Sequence, residues 1–167
     1  MPRMLILGIG MCVAVSAAAV SAQMPKYGVT ATIDKQVDFA AFKTYSWTKA
    51  QPSADKRVDA RVIEAVDREM SALGMSKAAS GPGDVMVTYY SLSRHDVDVK
   101  AKADANGALP KYWVGTLVVA LLAPPSRERL LRLRIDKPIE IEPAKLDVAI
   151  DDAVAALFAK YPTRSQK

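Results

Sequence analysis

The sequence predicts a single α+β domain, a mainly antiparallel sheet of four to six strands with two helices on one face. Three observations predict it. Period-two alternation of apolar and polar residues recurs at 29–39, 44–48 and 131–135, as half-buried strands require. Two other stretches, about Lys56 to Leu73 and Pro143 to Tyr161, carry apolar residues at helical spacing. The resulting order, β-β-α-β-β-β-α, is met by short connections when both helices cover one face of the sheet.

In chain order, the first strand sets Val29, Ala31 and Ile33 against Thr30, Thr32 and Asp34. The second places Tyr45 and Trp47 together, alternating with Thr44, Ser46 and Thr48. Ser53 or Asp55 can cap the helix that follows, because a short side-chain oxygen accepts from free first-turn amides. Val62, Val66, Met70 and Leu73 form its stripe, Glu64 and Arg68 form an i,i+4 pair, and Gly74 ends it. Gly81-Pro82-Gly83-Asp84 is a turn, and Val85 to Tyr90 a strand. Alternation at Val97, Val99, Ala101 and Ala103 extends that strand as a ribbon, with a turn at Asn106-Gly107. The apolar run from Gly115 to Ala123 suits a central strand buried on both faces. After Pro124-Pro125, Arg129 to Glu142 supplies a further strand. Pro143 opens the last helix, whose Leu146, Ile150, Ala153, Leu157 and Tyr161 face the core while Asp147, Asp151 and Asp152 face outward.

An export segment precedes the domain. Arg3 gives a positive start, Met4 to Val15 is apolar, and Val20-Ser21-Ala22 offers a small-residue exit. Cleavage after Ala22 is expected, leaving residues 23–167 as one domain with its core at about 28–162. The uncharged run also reaches the ~20 residues that span a bilayer, so a retained N-terminal anchor is the alternative. Lipidation at Cys12 is a third reading, although Met11 stands where a lipobox needs a small residue. Cys12 is the chain's one cysteine, so cleavage removes thiol and disulfide chemistry from the mature domain. The expected location is the periplasm or cell envelope, with membrane contact if the segment is retained.

The chain carries a net charge of +5, densest at Arg127, Arg129, Arg132 and Arg134. Arg129, Arg132 and Arg134, with Trp113 and the loop from Asn106, form the candidate binding surface. No aromatic residues interleave with these arginines, and export also disfavours nucleic acid as partner. The lone histidine, His95, cannot build an ordinary zinc site by itself, nor a triad without a nucleophile. The pairs Asp34/Asp38, Asp96/Asp98 and Asp151/Asp152 lack the aromatic platforms of a sugar cleft. Asp96, Asp98 and Asp104 lack the glycine and terminal glutamate of a calcium loop. No catalytic residue, cofactor or metal is therefore expected. The favoured function is a non-catalytic binding or structural module whose partner is an envelope component: protein, lipid or peptidoglycan. A lipid- or peptidoglycan-binding accessory protein using the arginine strand is one alternative, and a carboxylate hydrolase built on Asp34, Asp38 or His95 another.

Val37-Asp38-Phe39 followed by Phe42-Lys43-Thr44-Tyr45-Ser46-Trp47 resembles the opening signature of the bacterial domain of unknown function 4136. Leu73-Gly74-Met75, Asp84-Val85-Met86-Val87, Gly115-Thr116-Leu117-Val118-Val119 and the closing Tyr161-Pro162 extend the resemblance over most of 28–162. It implies an exported, often lipid-anchored α+β domain without established catalytic residues. Asp38, Phe39, Tyr45 and Trp47, the signature residues, are expected to be structural, the aromatics among them forming one end of the core. The chain departs from the family pattern at Ala120 and Ala123, where an aspartate is usual. It departs again at Leu131-Arg132-Leu133, where a Trp-Arg-Gly group is usual.

Overall fold

The computed structural model describes residues 27–49, 53–139 and 142–164. The export segment, Cys12 and the expected cleavage site lie outside the described residues. Two helices and six strands run in the order β1 (Gly28–Ile33), β2 (Thr44–Trp47), α1 (Lys56–Ala72), β3 (Ser76–Lys77), β4 (Val85–Val97), β5 (Lys111–Leu122), β6 (Arg129–Pro138), α2 (Pro143–Phe158). The fold is α+β, with one open sheet of order β1-β6-β5-β4-β2-β3. The β4-β5, β5-β6 and β1-β6 pairs are antiparallel. β2 runs parallel to both β4 and β3, because α1 carries the chain across between them.

Side-chain alternation divides the sheet cleanly. Val85, Val87, Tyr89, Val119, Leu121, Leu131 and Leu133 point to the helices and are almost fully buried. Val62, Val66 and Met70 of α1 and Val154, Leu157 and Phe158 of α2 meet them. β5 is central, as its apolar run predicts, and Thr116 to Leu121 are buried without a break. β3 is a two-residue edge strand too short to leave any periodic trace in the sequence.

The two helices lie parallel. Arg57 pairs with Asp147 at 3.3 Å, Arg61 pairs with Asp151, and Arg164 beyond α2 reaches Glu69 at 2.6 Å. Two expectations are corrected here. Arg68 does not pair with Glu64; it reaches Asp151 at 3.1 Å, while Glu64 takes Arg61 at 3.2 Å. Asp147 and Asp151 do not face outward; they turn toward the arginines of α1, and only Asp152 is exposed. A helix wheel shows which residues share a face but not where a second helix will lie.

The ribbon is also shorter than its alternation suggests. β4 stops at Val97, because the Asp98 carboxylate accepts from the amides of Lys100 and Ala101 at 3.0 and 3.2 Å. A local side-chain bond of this kind competes with the ladder and turns the chain. Asp55 is the N-cap of α1 as expected, accepting from the Arg57 amide at 2.8 Å.

Gly83 in the turn before β4 lies against the backbone of β2. A Cβ there would meet Tyr45 N, Cα and C at 2.7 Å. Backbone cannot swing aside as a flexible side chain can. Gly83→Ala is expected to lower stability by roughly 1–3 kcal/mol through overpacking, read as a lower midpoint in urea unfolding. An unchanged midpoint would show that β2 is not held this tightly.

Candidate functional site

The signature residues build a joint, not a catalytic centre. Tyr45 Oη and Trp47 Nε1 on β2 both donate to Asp67 Oδ1 of α1 at 2.8 Å. Lys77 on β3 donates to Asp67 Oδ2 at 3.0 Å. Burial, then the Asp67 carboxylate, pushes the Tyr45 phenol well above its usual range, so it stays a donor. Asp84 accepts from the amides of Lys43 and Thr44 at 2.8 and 2.9 Å, while the Thr44 hydroxyl accepts from the Asp84 amide at 3.0 Å. Those two amides hold the Asp84 carboxyl below its ordinary value. Asp38 accepts from the Ala40 amide at 3.0 Å and closes a turn. Phe39 is buried edge-on against Phe42 and Tyr161, at 5.8 Å in each case. Asp67 was missed in the sequence; its signal is an acidic residue beside the apolar stripe of Val66 and Met70.

The proposed arginine and tryptophan surface is divided by the sheet. Arg134, Arg132 and Arg129 lie opposite Val118, Ala120 and Leu122 of β5, on the face without helices. A bulge after Leu121 brings Arg129 into phase with the other two. Trp113 sits on the helix side, where its ring packs 3.7 Å from that of His95 across β4. Trp113, a residue of β5 and not of the loop from Asn106, therefore points away from the arginines. Asp34 hydrogen-bonds to Leu130 at the start of β6, whereas His95 lies at the far end of β4. The carboxylates and histidine of the hydrolase alternative are thus not assembled.

On the helix-free face a charge-balanced network crosses three strands. Asp136 accepts from Arg134 Nε at 2.6 Å and from the Thr116 hydroxyl at 2.6 Å, and lies 3.4 Å from Arg94. Arg94 also holds Asp96, to which Tyr27 donates at 2.8 Å while also hydrogen-bonding with Tyr112. Arg134 above all, with Thr116 and Arg94, holds the Asp136 carboxyl down at about 2.

A second concavity on this helix-free face, of about 420 Å³, is lined by Lys49, Thr88, Tyr90, Val118, Ala120 and Arg127; a larger and more apolar one lies on the other face. A cleft of about 500 Å³ opens where α1 and α2 begin and β4, β5 and β6 continue past them. Val58 and Val62 of α1, Leu146 and Ile150 of α2, and Leu117 and Ile135 of the sheet form its apolar wall. Gly115 leaves room on the floor for Ile139, whose Cγ2 would lie 3.0 Å from any Cβ there. Ser91, Ser93 and Lys137 supply polar groups. Among the described residues no cluster of three or more His, Cys, Asp or Glu could hold a metal, and no helix is long and apolar enough to cross a membrane.

Fold and sequence together define the class: a two-helix α+β domain with a ligand-sized apolar cleft. Residues 29–163 match the model of the domain of unknown function DUF4136, and the chain belongs to that family. No curated protein matches the chain. A PDZ domain protein from Parabacteroides distasonis is similar in structure at TM-score 0.59 and 13% identity. The match covers 81% of this chain and 35% of that one, so the chain spans about a third of that protein. The PelC dodecamer from Paraburkholderia phytofirmans gives a TM-score of 0.54 at 8% identity, covering 80% of this chain and 96% of that one. A minor lipoprotein from Acinetobacter baumannii gives 0.42 at 11% identity, covering 70% and 90%. For the first two, at these identities, the likeness is one of fold.

Two outcomes follow from the polar joints. Asp67→Ala leaves the Tyr45 and Trp47 donors without their carboxylate and should cost about 2–4 kcal/mol, measured by urea unfolding. A cost near zero would remove the joint's structural role. Asp136 has a folded value depressed to about 2, below the ~3.9 of an unfolded aspartate. Its contribution is complete above about pH 4 and is lost as pH falls toward 2. Asp136→Asn should therefore be less stable than wild type at pH 6, with the gap narrowing between pH 4 and 2. A constant gap across that window would contradict the assignment.

Proposed function

We propose that this chain is a non-catalytic binding module of the cell envelope, and that the cleft between the helix pair and the sheet is its ligand site. The cleft carries this reading. Its volume falls in the ~300–1,000 Å³ range of small-ligand pockets, and its wall is mainly apolar with a few placed polar groups. The polar groups of the cleft suit binding: hydroxyls, one lysine, and the carboxylate of Asp55, which already caps α1. The expected export segment supports a location in the periplasm or on a membrane surface for such a module. There its ligand is an envelope component with an apolar part, which makes lipid a better fit than peptidoglycan.

Ala149 lines the cleft on α2 and is half-buried. Dodecyl maltoside, titrated below its micelle concentration, should bind the purified protein saturably at one site by isothermal calorimetry. Ala149→Trp fills the cleft and should weaken that binding at least roughly tenfold, equivalent to about 1.4 kcal/mol, with an unchanged circular dichroism spectrum. Saturable binding that ignores the Trp plug would place the ligand elsewhere and end this reading.

A further inference from the structure

We propose that the cleft takes an anionic single-chain amphiphile, its acyl chain along the apolar wall and its acidic head beside Lys137. The inference rests on the cleft being a ligand site and adds the class of ligand. The wall is apolar along its depth: Val62, Leu117, Ile150 and Ala153 are all buried and carry no polar side-chain atom. A chain of methylenes satisfies such a wall, whereas a sugar or peptide would leave its polar groups without partners.

The charge of the cleft then selects the head. Two charged side chains line it, Asp55 and Lys137. Asp55 is committed to the first turn of α1. Lys137 lies on β6 opposite Gly115, half-buried, and makes no ion pair among the described residues. Both parallel helices begin at this end, but in α1 the Asp55 cap and Asp59 offset the dipole, so the helix contribution comes from α2. At α2 the first turn has no acidic residue, and the Glu142 N-cap makes no side-chain cap bond. Ser91 and Ser93 add hydroxyls from β4, across β5 from Lys137. A carboxylate or phosphate head would meet a cation, helix amides and hydroxyls together; a neutral head would use only the hydroxyls.

The test compares dodecanoate, dodecyl phosphate and dodecyl maltoside by calorimetry at low ionic strength, each below its micelle concentration. The two anions separate a fatty-acid source from a phospholipid-derived one. At least one of them should bind about fivefold or more tighter than the maltoside, as a single partly screened ion pair allows. Lys137→Glu and Lys137→Met should remove that preference and leave maltoside binding intact. Because the chain is basic, Arg129→Glu is the control for general charge: it changes net charge as much as Lys137→Glu but should preserve the preference. Equal affinity for all three amphiphiles, or a preference that Arg129→Glu abolishes as fully, would overturn the anionic head while sparing the cleft. Loss of all saturable binding would overturn both readings.

Discussion

One carboxylate holds the two layers of this domain in register. Asp67 projects from α1 and receives the hydroxyl of Tyr45 and the indole of Trp47 from a single short strand. β2 has four residues and parallel neighbours on both sides, so its ladder alone offers few bonds. Without the link to α1, nothing but apolar contact would fix how far the helix sits along the strand. Hydrophobic burial is non-directional and would tolerate a slide; two bonds converging on one oxygen do not. From that fixed point the other placements follow: Gly83 admits β4 close against Tyr45, the Asp84 carboxylate clamps the entry to β2, and α2 docks on α1.

The way α2 docks has an electrostatic cost that the sequence meets directly. Parallel neighbouring helices set like ends of their macrodipoles side by side. The Arg57–Asp147 pair, and Asp151 held by Arg61 and Arg68, offset this along the seam. These pairs are partly exposed, and each contributes little alone. Their larger effect is to set the relative height of the two helices. That height brings both N-terminal ends level at the end of the domain where the cleft opens.

The sequence revealed the fold through its strongest periodicities. The stripes of Val62, Val66 and Met70 and of Ile150, Leu157 and Tyr161, and the alternation at Val29, Leu131 and Leu133, report burial, which dominates the energy of any element. It did not reveal what depends on pairs remote in sequence. Asp147 and Asp151 look solvated on their own helix and become seam residues only when α1 lies alongside. Arg129, Arg132 and Arg134 do share a face, yet Trp113 lies across the sheet from them, because strand parity and register decide sides and clustering does not. Alternation beyond Val97 misled for a local reason: Asp98 turned the chain with its own side chain.

The cleft was hidden by the same logic that exposed the core. Val58, Val62, Leu146 and Ile150 sit in helical stripes that read as interior, and an apolar stripe says nothing about whether its partner surface arrives. Here it arrives only in part. The sheet strands continue to Val97, Lys111 and Pro138, while both helices start short of that end, each entered through its own connection. The space left between them is therefore a consequence of helix height, which the Asp67 joint and the arginine–aspartate seam determine. In this architecture the family signature and the cleft are not competing features. The signature residues touch nothing in the cleft, yet by fixing where α1 stands they decide that a cleft exists and which helix ends border it.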